Sequence, residues 1–241
     1  MGVEVTECPL GGGKEAPAVG ALVAVEGLDG AGKRTLNAAL AKELDTRGVR
    51  VGTMAFPRYG QSVPADLVAE ALHGRAGDLG ESVHGMAALF ALDRAAALEE
   101  LNGMRAKHDV VLLDRYAASN AAFGAARLHQ DGRGEFAGWV QELEFGRCAL
   151  PVPALQVLLR VPVAVAAARA VQRAGADDSR SRDAFERDDG LQARTAAVYD
   201  ELAADGWASP WYVYAPDTEQ RPDSGRASVA VLADRVLYSA G

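Results

Sequence analysis

Gly27-Leu28-Asp29-Gly30-Ala31-Gly32-Lys33 stands between an apolar run, Ala21–Val25, and a stretch of helical periodicity, Lys33–Thr46. Strand, glycine-rich turn and helix, in that order, is the context a G-x-x-x-x-G-K phosphate loop requires. Glycines let the backbone curl so that successive N–H groups face phosphate oxygens, and the helix adds the positive end of its dipole. Lys33 supplies a point charge within reach of the outer phosphates. The pattern fails at one position. Arg34 stands where Ser or Thr would offer a hydroxyl to Mg2+, and Thr35 follows it. The cradle therefore reads as Gly27, Gly30, Ala31, Gly32 and Lys33, with Arg34 and Thr35 at its edge. A plain glycine turn joining strand to helix is the bland alternative.

Farther along, Val110–Leu113 is an apolar run ending in Asp114. In P-loop enzymes an acid so placed holds Mg2+, directly or through water. Val51–Phe56, Leu155–Val161 and Trp211–Ala215 complete the strand candidates. Helical spacing of alanine, leucine and valine recurs over Ala65–His73, Ser82–Lys107, Glu135–Cys148, Pro162–Arg173, Asp183–Asp205 and Ser228–Tyr238. Short strands alternating with helices predict an α/β fold, a five-stranded parallel sheet with helices on both faces. No repeat or second composition regime divides the chain, so residues 21–241 read as one domain. Residues 1–20, with Gly11, Gly12, Gly13 and two prolines, read as a flexible extension without the basic start and apolar run of a signal peptide.

The chain has 241 residues, 49% of them hydrophobic, and a formal net charge of −8. Such an excess of acid repels nucleic acid, so an anionic ligand must be met by a local cluster of cations. Two cysteines, Cys8 and Cys148, without metal-ligand spacing, suit a reduced, cytoplasmic protein. No apolar run is long enough to span a membrane. The histidines His73, His84, His108 and His129 are scattered and receive no role. Arg173–Arg182 reads R-A-G-A-D-D-S-R-S-R, small, polar and rich in arginine, and is expected to be an exposed loop.

Two classes fit a P-loop with this acid: a nucleotide-regulated switch or motor, or a kinase of small molecules. The guanine-reading N-K-x-D stretch of a GTPase occurs nowhere, and Arg115-Tyr116 follows Asp114 where a switch glycine would be expected. Four stretches then carry a resemblance: the phosphate loop, Ala88-Leu89-Phe90-Ala91-Leu92-Asp93-Arg94-Ala95, Asp114-Arg115-Tyr116 with Ser119, and Phe56-Pro57-Arg58-Tyr59-Gly60. Together they resemble the thymidylate kinase family over nearly all of Ala21–Trp211, most of all its actinobacterial branch. The resemblance implies a nucleoside-monophosphate-kinase fold with an arginine-bearing lid, Mg2+-dependent transfer of the ATP γ-phosphoryl group to dTMP, and a homodimer. Another nucleoside or nucleotide kinase, or a catalytically idle P-loop binding protein, are the rival readings. A nucleoside acceptor would tolerate loss of at least one of Arg94 and Arg115; an idle binding protein would bind ATP without acceptor-dependent ADP release.

By the same resemblance, Arg94 and Arg115 bind the acceptor phosphate, Arg115 near the site of transfer. Guanidinium planes suit paired contacts to phosphate oxygens. A surface pair with Glu99 is the alternative for Arg94. Phe90 resembles the residue stacked on thymine, its alternative being an ordinary core phenylalanine. Phe56 and Tyr59 resemble walls of the acceptor pocket, and Asn120 a group that hydrogen-bonds the base. Asp29 resembles the carboxylate that meets the sugar hydroxyl and helps place the metal. Arg173, Arg180 and Arg182 occupy the lid, with Arg173 catalytic, and Asp183 and Glu186 beyond them resemble acids on the acceptor side, Glu186 also near the metal. Three departures stand out. Phe123 replaces a usual tyrosine beside the sugar, Gly124 a commoner glutamine, and Arg34 the metal-binding hydroxyl.

Overall fold

The computed structural model describes residues 19–176, 189–216 and 229–240. Its strands are β1 (Ala21–Glu26), β2 (Val51–Ala55), β3 (Val110–Asp114), β4 (Leu155–Leu159) and β5 (Trp211–Tyr214). All run parallel in the order β2-β3-β1-β4-β5. β1 is therefore central, with Val25 beside Asp114 of β3 and Glu26 beside Leu158 of β4. The loop after β1 thus opens at the middle of the sheet's carboxyl edge, where open α/β sheets bind ligands.

Alternation along β1 divides the core in two. Leu22 and Ala24 face one layer, which also holds Leu113, Tyr116 and Leu202; Val23 and Val25 face the other, with Leu36, Leu40 and Leu232. The second layer is built by α1 (Lys33–Thr46), whose buried Lys33, Leu36, Asn37, Leu40 and Leu44 trace one helical stripe, together with α9 (Val229–Ala240). The first layer is built by α5 (Ala117–Arg127), α6 (Glu135–Gln141) and α8 (Asp189–Asp205). Around it lie α2 (Val63–Leu72), α3 (Val83–Ala96) and α4 (Leu98–Lys107); α7 (Val163–Ala176) follows β4. Among the described residues no helix is long and apolar enough to cross a membrane.

Several elements differ from the sequence reading. α5 has no counterpart in it, because Ala117 through Ala126 are buried all round and leave no polar face to mark a period. The stretch expected as one helix over Ser82–Lys107 is two, parted at the wholly buried Ala97, whose N–H bonds the Arg94 carbonyl in a tightened turn. α7 runs on to Ala176, so Arg173 belongs to a helix and not to the loop assigned from that residue. Its side chain, and Arg180, Arg182, Asp183 and Glu186, lie outside the described residues, as does most of the N-terminal extension.

Candidate active site

The phosphate loop is shaped by its glycines. Gly30 has φ +79°, and a Cβ there would lie 2.0 Å from the Ala166 carbonyl oxygen of α7, so only glycine lets the loop sit against that helix. Gly32 caps α1 in the left-handed conformation. Lys33 is buried and turns back on its own loop, donating to the carbonyls of Gly27 at 3.0 Å and Leu28 at 2.8 Å. Burial first, then repulsion from Arg115, pull its ammonium down to about 7, against the pull of Asp29, Asp114 and Glu26. Arg34 and Thr35 are exposed at the head of α1. Arg169, four residues before Arg173 on α7, donates to the Ala31 carbonyl at 3.1 Å, a cation at the loop that the sequence reading missed.

Arg115 joins this loop to the helical layer. Its φ of +67° is rare for a side-chain-bearing residue and stores strain of about 1–3 kcal/mol. The guanidinium donates to the Gly27 carbonyl at 3.2 Å and to Ser119 Oγ at 2.9 Å, pairs with Asp29, and lies 5.3 Å over the Phe123 ring. Burial opposes its charge, but Asp29, Tyr199, Glu26 and Asp114 outweigh burial and hold it protonated. Beneath it sits Glu26, fully buried, accepting from the Tyr116 N–H at 2.8 Å, Ser119 Oγ at 2.5 Å and Tyr199 Oη at 3.1 Å. Burial pushes the Glu26 carboxyl up. Glu26 and Tyr199 were not singled out in the sequence; the one available signal was an acid ending an otherwise apolar central strand.

A cavity opens beside Arg115. Asp29, Phe56, Tyr59, Phe90, Arg94, Arg115, Asn120 and Phe123, assigned from far-separated stretches, all line it, with Gly124 and Arg127. Its aromatic wall and few polar groups suit a ligand with a flat ring and a polar end. Phe56 is buried and packs at 6.0 Å on Tyr116, whereas Phe90 is partly exposed, packing on the cluster of Val68, Leu72 and Met86. The Phe56–Pro57 bond is cis. Arg58 donates from its backbone and Nε to Asp93, at 2.9 and 3.2 Å, and Ser62 Oγ donates to the same carboxylate at 2.6 Å. Two of the recognisable stretches are thereby tied together, and the loop bearing Tyr59 is fastened to α3.

At the other end of the cavity Arg94 pairs with Glu144 and not with Glu99. Nε bonds Oε2 at 2.7 Å while Nη2 meets Oε1, and both residues are almost wholly buried. Asn120 Nδ2 donates to the same Oε1 at 2.8 Å and to the Ala87 carbonyl at 2.9 Å. Glu144 lies on a π-helical turn, Glu142–Arg147, that continues α6; there the Cys148 N–H reaches back five residues to Leu143. The sequence reading treated this stretch as ordinary helix and gave Glu144 no role.

The sequence model of one family, described as Thymidylate kinase, matches residues 25–214. The chain is 55% identical over 198 residues to the thymidylate kinase of Mycobacterium tuberculosis, an alignment covering 82% of this chain and 92% of that protein. It is 34% identical over 175 residues to the thymidylate kinase of Xanthomonas euvesicatoria, covering 72% and 68% of the two. In three dimensions it resembles the thymidylate kinase of Candida albicans with a TM-score of 0.62 at 18% identity, over 91% of this chain and 90% of that one.

Proposed function

Because the chain belongs to the thymidylate kinase family, and with it transfers the γ-phosphoryl group of ATP to dTMP, we propose how its own residues divide that work. The phosphate loop takes the donor and the cavity takes dTMP. The observation that carries this division is Arg115, whose guanidinium bonds the phosphate loop through Gly27 and Asp29 on one side and borders the cavity beside Ser119 and Phe123 on the other.

A phosphate monoester is already anionic at neutral pH, so no strong base is needed. The protein has to align two phosphates and offset their repulsion. Lys33 exchanges the carbonyls of Gly27 and Leu28 for the donor's outer phosphates, and Arg169 adds charge at the same loop. Arg115 spans donor and acceptor phosphates, held in place by Ser119 over the buried Glu26. Asp29 meets the sugar hydroxyl while orienting Arg115. Asp114 and Asp29 are the carboxylates that would hold Mg2+. Both stand close enough to Lys33 to pull on its charge, and Mg2+ bound mainly by phosphates and water needs only one or two carboxylates. When bound, it neutralises charge on the donor's phosphate oxygens. The lid arginines, Asp183 and Glu186 keep the roles implied by family resemblance.

Arg94 is better placed at the base than at the phosphate. Glu144 ties it to Asn120, and the pair present donors from Arg94 and an amide from Asn120 to a ring stacked on Phe90. A second copy of the chain would cover Val63 and Leu67, one turn apart on α2, and Leu92 on α3, all of them exposed.

ADP release with Mg·ATP and a panel of dTMP, dUMP, dCMP, dGMP, AMP, UMP and thymidine tests the reading. Strong turnover of dTMP, weaker of dUMP and little of the rest is expected. Arg115→Ala should lower kcat/KM for dTMP by about 100-fold or more. Equal turnover of thymidine, or an indifferent Arg115→Ala variant, would refute the assignment of the phosphate end.

A further inference from the structure

Glu144 lies outside every stretch that carries the family resemblance, yet three hydrogen bonds converge on it from Arg94 and Asn120, which line the acceptor cavity. Its carboxylate is wholly buried, and an ionised carboxylate only accepts. The Ala87 carbonyl likewise only accepts. Asn120 turns one amide end toward both, so that end must be its amino group, and the two N–H bonds of Nδ2 are used up. What remains for the cavity is Oδ1, an acceptor with no partner among the described residues. Arg94 meets the same carboxylate side-on through Nε and Nη2, which leaves its remaining N–H groups for the cavity it lines.

We propose that Glu144 is a specificity-setting positioning residue. By saturating the amino group of Asn120 and anchoring Arg94, it makes the base end of the pocket present one acceptor beside one cationic donor. A pyrimidine with a ring N3–H donor next to a 4-oxo acceptor matches that pattern at both points. A 4-amino pyrimidine, with N3 an acceptor and N4 a donor, meets an acceptor with an acceptor and a donor with a donor. Glu144 faces inward from the π-helical turn, while Glu142, two residues before it, stays exposed and pairs with Arg147 at 3.0 Å. The inference rests on the placement of Asn120 and Arg94 at the base, argued above.

The test is the ratio of kcat/KM for dTMP to that for dCMP, in the wild type and in Glu144→Gln. The glutamine keeps the size of the side chain but must offer an amino group to either Arg94 or Asn120. The ratio is expected to fall about tenfold or more, the worth of one misdirected hydrogen bond, with a smaller loss on dTMP itself. A wild type that discriminates and a folded variant that discriminates equally well would overturn the role of Glu144 and leave the base reading intact. A wild type that accepts dCMP as readily as dTMP would overturn the base reading, and the inference with it. If Glu144→Gln does not fold, solvent exchange of the side-chain amide protons in the wild type decides. The chain has only three asparagines, Asn37, Asn102 and Asn120. Both Asn120 protons should exchange far more slowly than those of the exposed Asn102, and equal rates would overturn the proposal.

Discussion

Lys33 and Arg115 are two cations packed into one buried space, and the energetics of the site at the residue scale follow from that. Burial disfavours the ammonium most and repulsion from Arg115 adds to it, so Lys33 titrates near 7. Its proton is lost from the folded protein as pH rises through that value but kept by the unfolded chain up to about 10.4, so this residue adds stability as pH rises between the two. Donor phosphates would restore the charge. Binding of ATP at pH 8 should therefore take up close to one proton, seen as a dependence of the calorimetric binding enthalpy on the buffer's ionisation enthalpy. A heat independent of buffer would contradict it. The motif made Lys33 and Arg115 legible as phosphate ligands. It did not disclose Glu26 or Tyr199, because an acid at a strand end and a tyrosine on a helix are commonplace until Ser119 is seen between them.

At the scale of elements, α5 lines the cavity with Ser119, Asn120, Phe123, Gly124 and Arg127, sharing it with α3, which brings Phe90 and Arg94. α5 is also the helix that periodicity could not find. Gly124, which looked like a simple departure from a commoner glutamine, has a partner: a Cβ there would lie 2.0 Å from the Phe136 ring of α6. Phe136 is 2% exposed and packs on Trp139 at 5.5 Å, so it cannot retreat. Gly124→Ala should therefore lower stability by about 1–3 kcal/mol in thermal denaturation, the range of overpacked cores. Pairing it with Phe136→Leu should recover part of the loss; strict additivity of the two changes would show that the contact is not the cause. The same logic explains the wrong boundaries. Ala97 ends α3 without glycine or proline, since the turn is imposed by what the helices on either side must pack against.

Over the whole molecule, a net charge of −8 coexists with a cavity lined by Arg94, Arg115 and Arg127 and a phosphate loop holding Lys33, so attraction for anions is local. The proposed self-association belongs to this scale too. Val63 is 73% and Leu92 50% exposed on adjoining helices, and a double change of Val63 and Leu67 to glutamate should convert a dimer to a monomer in analytical ultracentrifugation. Sedimentation as a monomer before the change would rule this surface out as an interface. The parallel sheet, its five strands and the phosphate loop at the end of β1 were determined by the sequence alone, because each is written in consecutive residues: an apolar run, a glycine spacing, a following amphipathic stripe. The pairings that make the site work were decided only by tertiary structure. Arg58 with Asp93, Arg94 with Glu144 and Tyr199 with Glu26 join residues 35, 50 and 173 positions apart. No local pattern records such partners; packing brings them together, and burial then makes each buried charge depend on the one it meets.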